Sequence, residues 1–201
     1  HTKAVAGRSL PGVPSELSEN LVARMSARVA WASGDLDAAG EAWDAQEASA
    51  QGPLDDLVLG EIRAAAGDPR ALDHARALRT QQPTEALLIE SAFADSAGNP
   101  ERATEALLAA LSSAQTDPWV HPKALQRGLQ RAVSLAQRGG QRIASRFLRV
   151  LTEPFAVGNL DETRRATALR LIRIPGMESL CAEAFSTVEP FVYAHEGVLA
   201  A

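Results

Sequence analysis

The chain has 201 residues, 46% hydrophobic and only 4% aromatic, with a formal net charge of −5. That is enough for one domain with a sizeable core. No apolar run approaches the ~20 residues of a membrane-spanning helix, and a single cysteine, Cys181, excludes an internal disulfide. Alanine is abundant and strand-favouring residues are scarce, which sets an all-α expectation.

In chain order, residues 1–18 hold Gly7, Pro11, Gly12 and Pro14 among small polar residues and read as a flexible lead-in. Ser18 is placed as the cap of a first helix over 19–33. Gly34 ends it, and Asp35 caps a second helix that runs to about residue 50, before Gly52-Pro53. A third helix is expected over 54–66. Gly67 stops it, Asp68 caps the next helix, and Pro69 takes the first turn, where a missing amide hydrogen costs nothing. That fourth helix is expected to reach about residue 82, where Pro83-Thr84 opens a third pair over 85–97 and 100–114, joined by Gly98-Asn99. Beyond Asp117-Pro118 a fourth pair is expected over 122–137 and 141–151, turning at Gly139-Gly140. After the break at 154–159 come a helix over 160–174 and a last one, opened by Pro175-Gly176, to about residue 188. Cys181 is assigned to the apolar pattern of that last helix, beside Leu180 and Phe185, as a small buried hydrophobe. The tail from Phe191 reads as a frayed strand-like segment or a docked peptide.

Three stretches repeat the same logic: Gly34-Asp35-Leu36-Asp37-Ala38-Ala39, Gly67-Asp68-Pro69-Arg70-Ala71-Leu72 and Gly98-Asn99-Pro100-Glu101-Arg102-Ala103. They lie about one helix-pair period apart. With Ala27, Ala39 and Trp43 around the first, Gly60, Leu72 and Pro83 around the second, and Ser91, Ala103 and Leu107 around the third, this pattern resembles the tetratricopeptide repeat (TPR) family. The resemblance covers residues 19–115 and fades beyond. Leu72 stands where the family prefers alanine and Arg76 where it prefers a large apolar residue. The resemblance implies an all-α right-handed solenoid of stacked antiparallel helix pairs, about ten helices with an irregular C-terminal cap, filling residues 19–188 between the lead-in and a tail at 189–201. It also implies a concave groove lined by the first helix of each pair: Arg24, Arg28 and Trp31, then Leu57 and Glu61, then Leu88, Ala92 and Asp95. Family members that clamp a terminal carboxylate place lysine, arginine and asparagine there across several repeats; here Arg24 and Arg28 alone suit.

Charge is sharply partitioned. Residues 1–118 carry nine Lys/Arg against eighteen Asp/Glu, residues 119–175 eleven against three, and residues 176–201 four acids and no base. Basic charge is almost entirely arginine, Lys3 and Lys123 being the only lysines. With the alanine content, that points to a GC-rich bacterial genome. Arg127 and Arg131 are four apart, and Arg142, Arg146 and Arg149 follow at spacings of four and three, so each set shares a helix face. Arg164, Arg165, Arg170 and Arg173 add to the density. An arginine face suits carboxylates or phosphates; it is read either as a solvated surface, facing the acidic N-terminal helices or the acidic tail of this same chain, or as the docking site of an acidic partner. Overall negative charge, and arginines with no interleaved aromatic except Phe147, disfavour nucleic acid.

No phosphate loop, Cys/His cluster or nucleophile motif occurs. His1, His74, His121 and His195 are scattered, and Asp73-His74 lacks ligand spacing. Trp119 and His121 fall in a loop between prolines, which suits a contact site. Asp55-Asp56 and Asp161-Glu162 sit near helix starts, where acids favour the helix dipole. The expectation is therefore a non-enzymatic, cofactor-free scaffold or adaptor binding a protein or peptide partner. The alternative is a regulatory or sensor domain of a larger protein whose catalytic or DNA-binding part lies elsewhere. His1 in place of a methionine points to an upstream segment of some kind, and a lone cysteine separates neither bacterial cytoplasm from periplasm.

Overall fold

A computed structural model of the protein describes residues 15–45 and 49–177, and within them the fold is all-α. The eight helices are α1 (Ser15–Ser33), α2 (Leu36–Asp44), α3 (Pro53–Ala65), α4 (Ala71–Leu78), α5 (Pro83–Ser96), α6 (Pro100–Ala114), α7 (Pro122–Val150) and α8 (Asp161–Ile172), the last preceded by a short 3-10 turn, Gly158–Leu160. No strand occurs among the described residues. The expected last helix, Cys181 and the tail lie outside them.

Helices α1 and α2, α3 and α4, and α5 and α6 pack as hairpins, α3 and α4 both rest on α5, and α6 rests on α7. The three hairpins turn in the same way. Gly34, Gly67 and Gly98 take φ of 95°, 69° and 74°, and the residue after each donates its amide back to the carbonyl five residues earlier. These bonds are Asp35 to Ala30 at 3.0 Å, Asp68 to Arg63 at 2.9 Å and Asn99 to Ala94 at 2.8 Å. That is the glycine-dependent helix stop in which a left-handed residue lets the chain satisfy orphan carbonyls. Asp35 then caps α2 by accepting the Ala38 amide, and Asn99 caps α6 by accepting the Arg102 amide, both at 3.0 Å.

Several boundaries differ from the sequence reading. Helix α1 already includes Ser15, so Ser18 lies inside it rather than at its cap. Asp68 does not cap a helix directly: its carboxylate accepts the Arg70 amide at 2.9 Å, closing a turn, and α4 starts only at Ala71 and ends at Leu78. Helix α2 likewise stops at Asp44 rather than near residue 50.

The core is built from alanines that permit close approach and large side chains that fill the gaps, with Leu57, Leu88, Ile89, Leu107, Leu129 and Phe147 all at most 1% exposed. Two glycines mark close crossings between helices. A Cβ on Gly60 would lie 2.5 Å from Ile89 Cδ1, and one on Gly128 2.7 Å from Leu88 Cδ2. In α7 the chain reverses at a single residue, Gly140, with φ 68° and ψ −162°, a conformation essentially reserved for glycine. Before it, α7 passes α6 in the opposite direction: Gly128 faces Leu107, while Leu135 reaches the Pro100 end. After it, Arg146 meets Glu105 and Gln115 Nε2 donates to the Val150 carbonyl at 2.8 Å, so this run follows α6 in its own direction. The expected fourth pair is therefore a hairpin whose turn is one residue long.

Candidate functional site

Trp31 near the end of α1, Glu61 in α3, Glu85 in the first turn of α5, and His121 and Arg127 at the start of α7 meet in the interior. Trp31 and Glu61 are 2% and 5% exposed. The indole Nε1 donates to Glu61 Oε2 at 2.6 Å, and Arg127 donates two bonds to the same carboxylate and a third to the Trp31 carbonyl at 3.2 Å. The guanidinium lies 4.6 Å from the centre of the Trp31 ring, whose other neighbour, the His121 ring, stands edge-on at 4.8 Å. A carboxylate buried in an alanine-rich core is tolerable because it is met by a fork of charge-assisted donors.

Glu85 is handled differently. At 1% exposed, its Oε1 accepts the His121 amide at 2.7 Å, while Oε2 has no hydrogen-bond partner. Burial pushes its pKa up, the Asp117 and Glu61 carboxylates push the same way, and the His121 amide opposes them. Burial pushes His121 down. Its Nδ1 accepts the Lys123 amide at 3.2 Å, capping α7, which requires that nitrogen to be unprotonated.

These two shifts give opposite pH dependences. A carboxyl whose pKa rises on folding adds stability that is complete below its unfolded value, about 4.3, and is lost as pH climbs through its folded value. A histidine whose pKa falls on folding adds stability that is complete above about 6.5 and is lost as pH drops through its folded value. In urea melts across this range, Glu85→Gln should remove the decline on the upper side and His121→Asn the decline on the lower side. Unchanged pH profiles in both variants would refute the assignment.

The other residues assigned to the groove are also engaged. Arg28 donates to Asp55 Oδ1 from Nε at 3.1 Å and from its terminal nitrogen at 2.6 Å, and Arg24 Nε lies 3.6 Å from Asp55 Oδ2. Leu57, Leu88 and Ala92 are buried, and Asp95 pairs with Arg138. The face that the resemblance assigns to a peptide is thus occupied, around Trp31, by the chain's own side chains.

The arginine set divides into paired and unpaired members. Arg127, Arg138 and Arg146 bridge from α7 to Glu61, Asp95 and Glu105 on α3, α5 and α6. Arg164, 9% exposed, donates to the Leu151 carbonyl at the end of α7 and to Asp161, which also holds Arg165 at 2.7 Å. Among the described residues Arg102, Arg131, Arg142, Arg149, Arg170 and Arg173 have no ion pair or hydrogen bond from their guanidinium groups. Arg131 is half-buried between the Arg127–Glu61 and Arg138–Asp95 pairs; burial lowers its pKa while both carboxylates oppose that shift. Arg102 was not singled out in the sequence, because it lies in the acidic portion, forty positions from the nearest arginine that it approaches, Arg142.

Acids near helix starts also do more than favour a dipole. Asp55, 1% exposed, is the anchor described above, and Asp56 Oδ1 lies 2.8 Å from His74 Nδ1. His74 Nε2 lies 2.7 Å from an Arg63 nitrogen. Arginine only donates, so the proton of His74 sits on Nδ1 and points at Asp56. This relay ties α3 to α4, and no group of acids and histidines among the described residues has a metal-binding arrangement. Trp119 is 88% exposed, whereas its loop companion His121 turns inward.

On the outer side, an open cleft of about 440 Å³ lies between the start of α6 and the run of α7 after Gly140, bordered by Asn99, Arg102, Glu105, Arg142 and Arg146. It continues into a smaller space of about 270 Å³ floored by Pro100, Leu135 and Ile143. Glu101, Thr104, Arg142 and Ile143 border both. No family model matches the chain, and no curated protein or solved structure shows significant similarity to it.

Proposed function

We propose that the chain is a non-enzymatic TPR-like module, a right-handed stack of helix pairs that holds a protein partner while a larger complex assembles. The observation that carries this reading is the threefold recurrence of one hairpin joint, with the same left-handed glycine and the same five-residue back-bond at each copy. A helix-pair array whose units repeat offers an extended surface rather than an enclosed reaction site. Within that surface the exposed, unpaired Arg142 and Arg149, with Arg146 between them, are the basic contact area.

Reversing this patch should separate binding from folding. Arg142→Glu/Arg146→Glu/Arg149→Glu breaks one exposed pair, worth about 0–1 kcal/mol, and places an acid in the last turn of α7, at a cost of about 0.3–1 kcal/mol. At roughly 2–4 °C per kcal/mol, melting should fall by only a few degrees while cross-linked capture of partners from a lysate is lost. Capture of the same partners by parent and variant would remove this surface from the reading.

The second reading, a domain of a larger protein, is favoured by one observation. Helix α1 exposes Leu21, Val22, Met25 and Val29 at 50–66% along its outer side, and such a stripe on the first helix of a stack suits cover by another element.

A further inference from the structure

We infer that the cleft between α6 and the run of α7 after Gly140 binds an acidic peptide segment carrying one apolar anchor residue. This rests on the reading of the chain as a partner-binding module and gives that reading its ligand chemistry.

The cleft has two chemically distinct halves that share a wall. In the wider half, the guanidinium groups of Arg102 and Arg142 face open space without an ion pair or hydrogen bond among the described residues, in a chain that pairs most of its arginines. Arg146 is held in place by Glu105 at 2.8 Å and borders the same space. The wider half opens beside the start of α6, where Asn99 caps one of the free amides and the positive end of the helix adds to the field. Of the two carboxylates present, Glu105 is already neutralised by Arg146, leaving Glu101 against two unpaired arginines. The half is therefore set for carboxylates, which arginine meets with two parallel donors.

The narrower half has an apolar floor within a rim of Glu101, Thr104, Arg138 and Arg142. Leu135 and Ile143, 2% and 6% exposed, form its floor with Pro100. Its 270 Å³ falls below the roughly 300–1,000 Å³ of small-molecule pockets. It suits a single side chain inserted beside the basic half. Nucleic acid fits poorly: Glu101 and Glu105 would stand against phosphates, and no aromatic residue borders either half to stack a base.

Selection of a random displayed dodecapeptide library on the whole chain, counter-selected on Arg102→Glu/Arg142→Glu, tests this directly. Both residues are exposed and unpaired, so the variant should retain its helicity by circular dichroism; Arg102→Gln/Arg142→Gln serves if it does not. The expected winners place one large apolar residue beside two or more acids. Titrated as labelled synthetic peptides, they should bind the double variant at least about tenfold more weakly, the loss of one or two charge-assisted contacts. Replacing the apolar residue of the peptide by alanine should weaken binding similarly. No enrichment, winners without acids, or equal affinity for the double variant would overturn the cleft. If cross-linked partners are still captured by the double variant, the module stands without this ligand; if none is captured by the parent chain either, both fall.

Discussion

Glu61→Ala is expected to cost about 3–5 kcal/mol, the range for breaking a buried ion pair by removing one partner. Three donor groups converge on that carboxylate: the Trp31 indole and two nitrogens of Arg127. The Trp31 indole is buried, and the Arg127 side chain is only 15% exposed. At roughly 2–4 °C per kcal/mol for a chain of this size, the melting temperature should drop by about 10 °C. Glu61→Leu/Arg127→Met should cost less than Glu61→Ala alone, because it leaves no buried charge behind. A single variant melting within about a degree of the parent would show that Arg127 finds water as readily as it finds Glu61.

Asp55→Ala should act more locally. The carboxylate receives Arg28 through two nitrogens and the Gln51 amide at 3.0 Å, and it offsets the charge of Arg24, whose buried Nε has no hydrogen-bond partner of its own. Removing it frees the partly exposed donors of Arg28 and Gln51 to turn to water, but leaves the buried Arg24 Nε without its counter-charge, at about 1–3 kcal/mol for an unsatisfied buried group. The end of α1 remains fastened through Trp31, so loss of protection in hydrogen exchange should concentrate in the α1 turns that carry Arg24 and Arg28. Uniform loss across α3 to α7 would contradict that picture, as would unchanged exchange in α1.

What could be read from the sequence is what neighbouring residues decide. Gly34, Gly67 and Gly98 announce their turns because the need for positive φ is a property of one residue, and Asp35 announces its cap; Asp68, read as a cap by the same logic, closes a turn ahead of α4 instead, while the Asn99 cap was not foreseen. Gly139-Gly140 gave away the fourth hairpin, although not that Gly140 alone would make the turn. The positions of Arg127, Arg131, Arg142, Arg146 and Arg149 on shared faces follow from helical spacing. Which of them are paired does not. Glu61 and Arg127 are 66 positions apart and Asp95 and Arg138 are 43 apart, so only the packed helices reveal that they meet. Asp55 shows the same gap: its place near a helix start has a sufficient local explanation, and its burial beneath Arg24 and Arg28 has none. Arg102 was hidden because counting charge in long windows sets it among acids, while the α7 hairpin carries Arg142 to it across space.

A row of helix pairs joined only to their nearest neighbours behaves as a one-dimensional array, which frays from its ends and tolerates loss of terminal units. Arg127 departs from that scheme. By donating to the carbonyl of Trp31, 96 positions earlier, it stitches the fourth pair to the first and turns the row into a closed loop of contacts. Unzipping from the first pair must then also strip α7, and loop-closure entropy must be met before that stitch can form. The chain should fold later, and unfold more nearly all at once, than a repeat array of the same length.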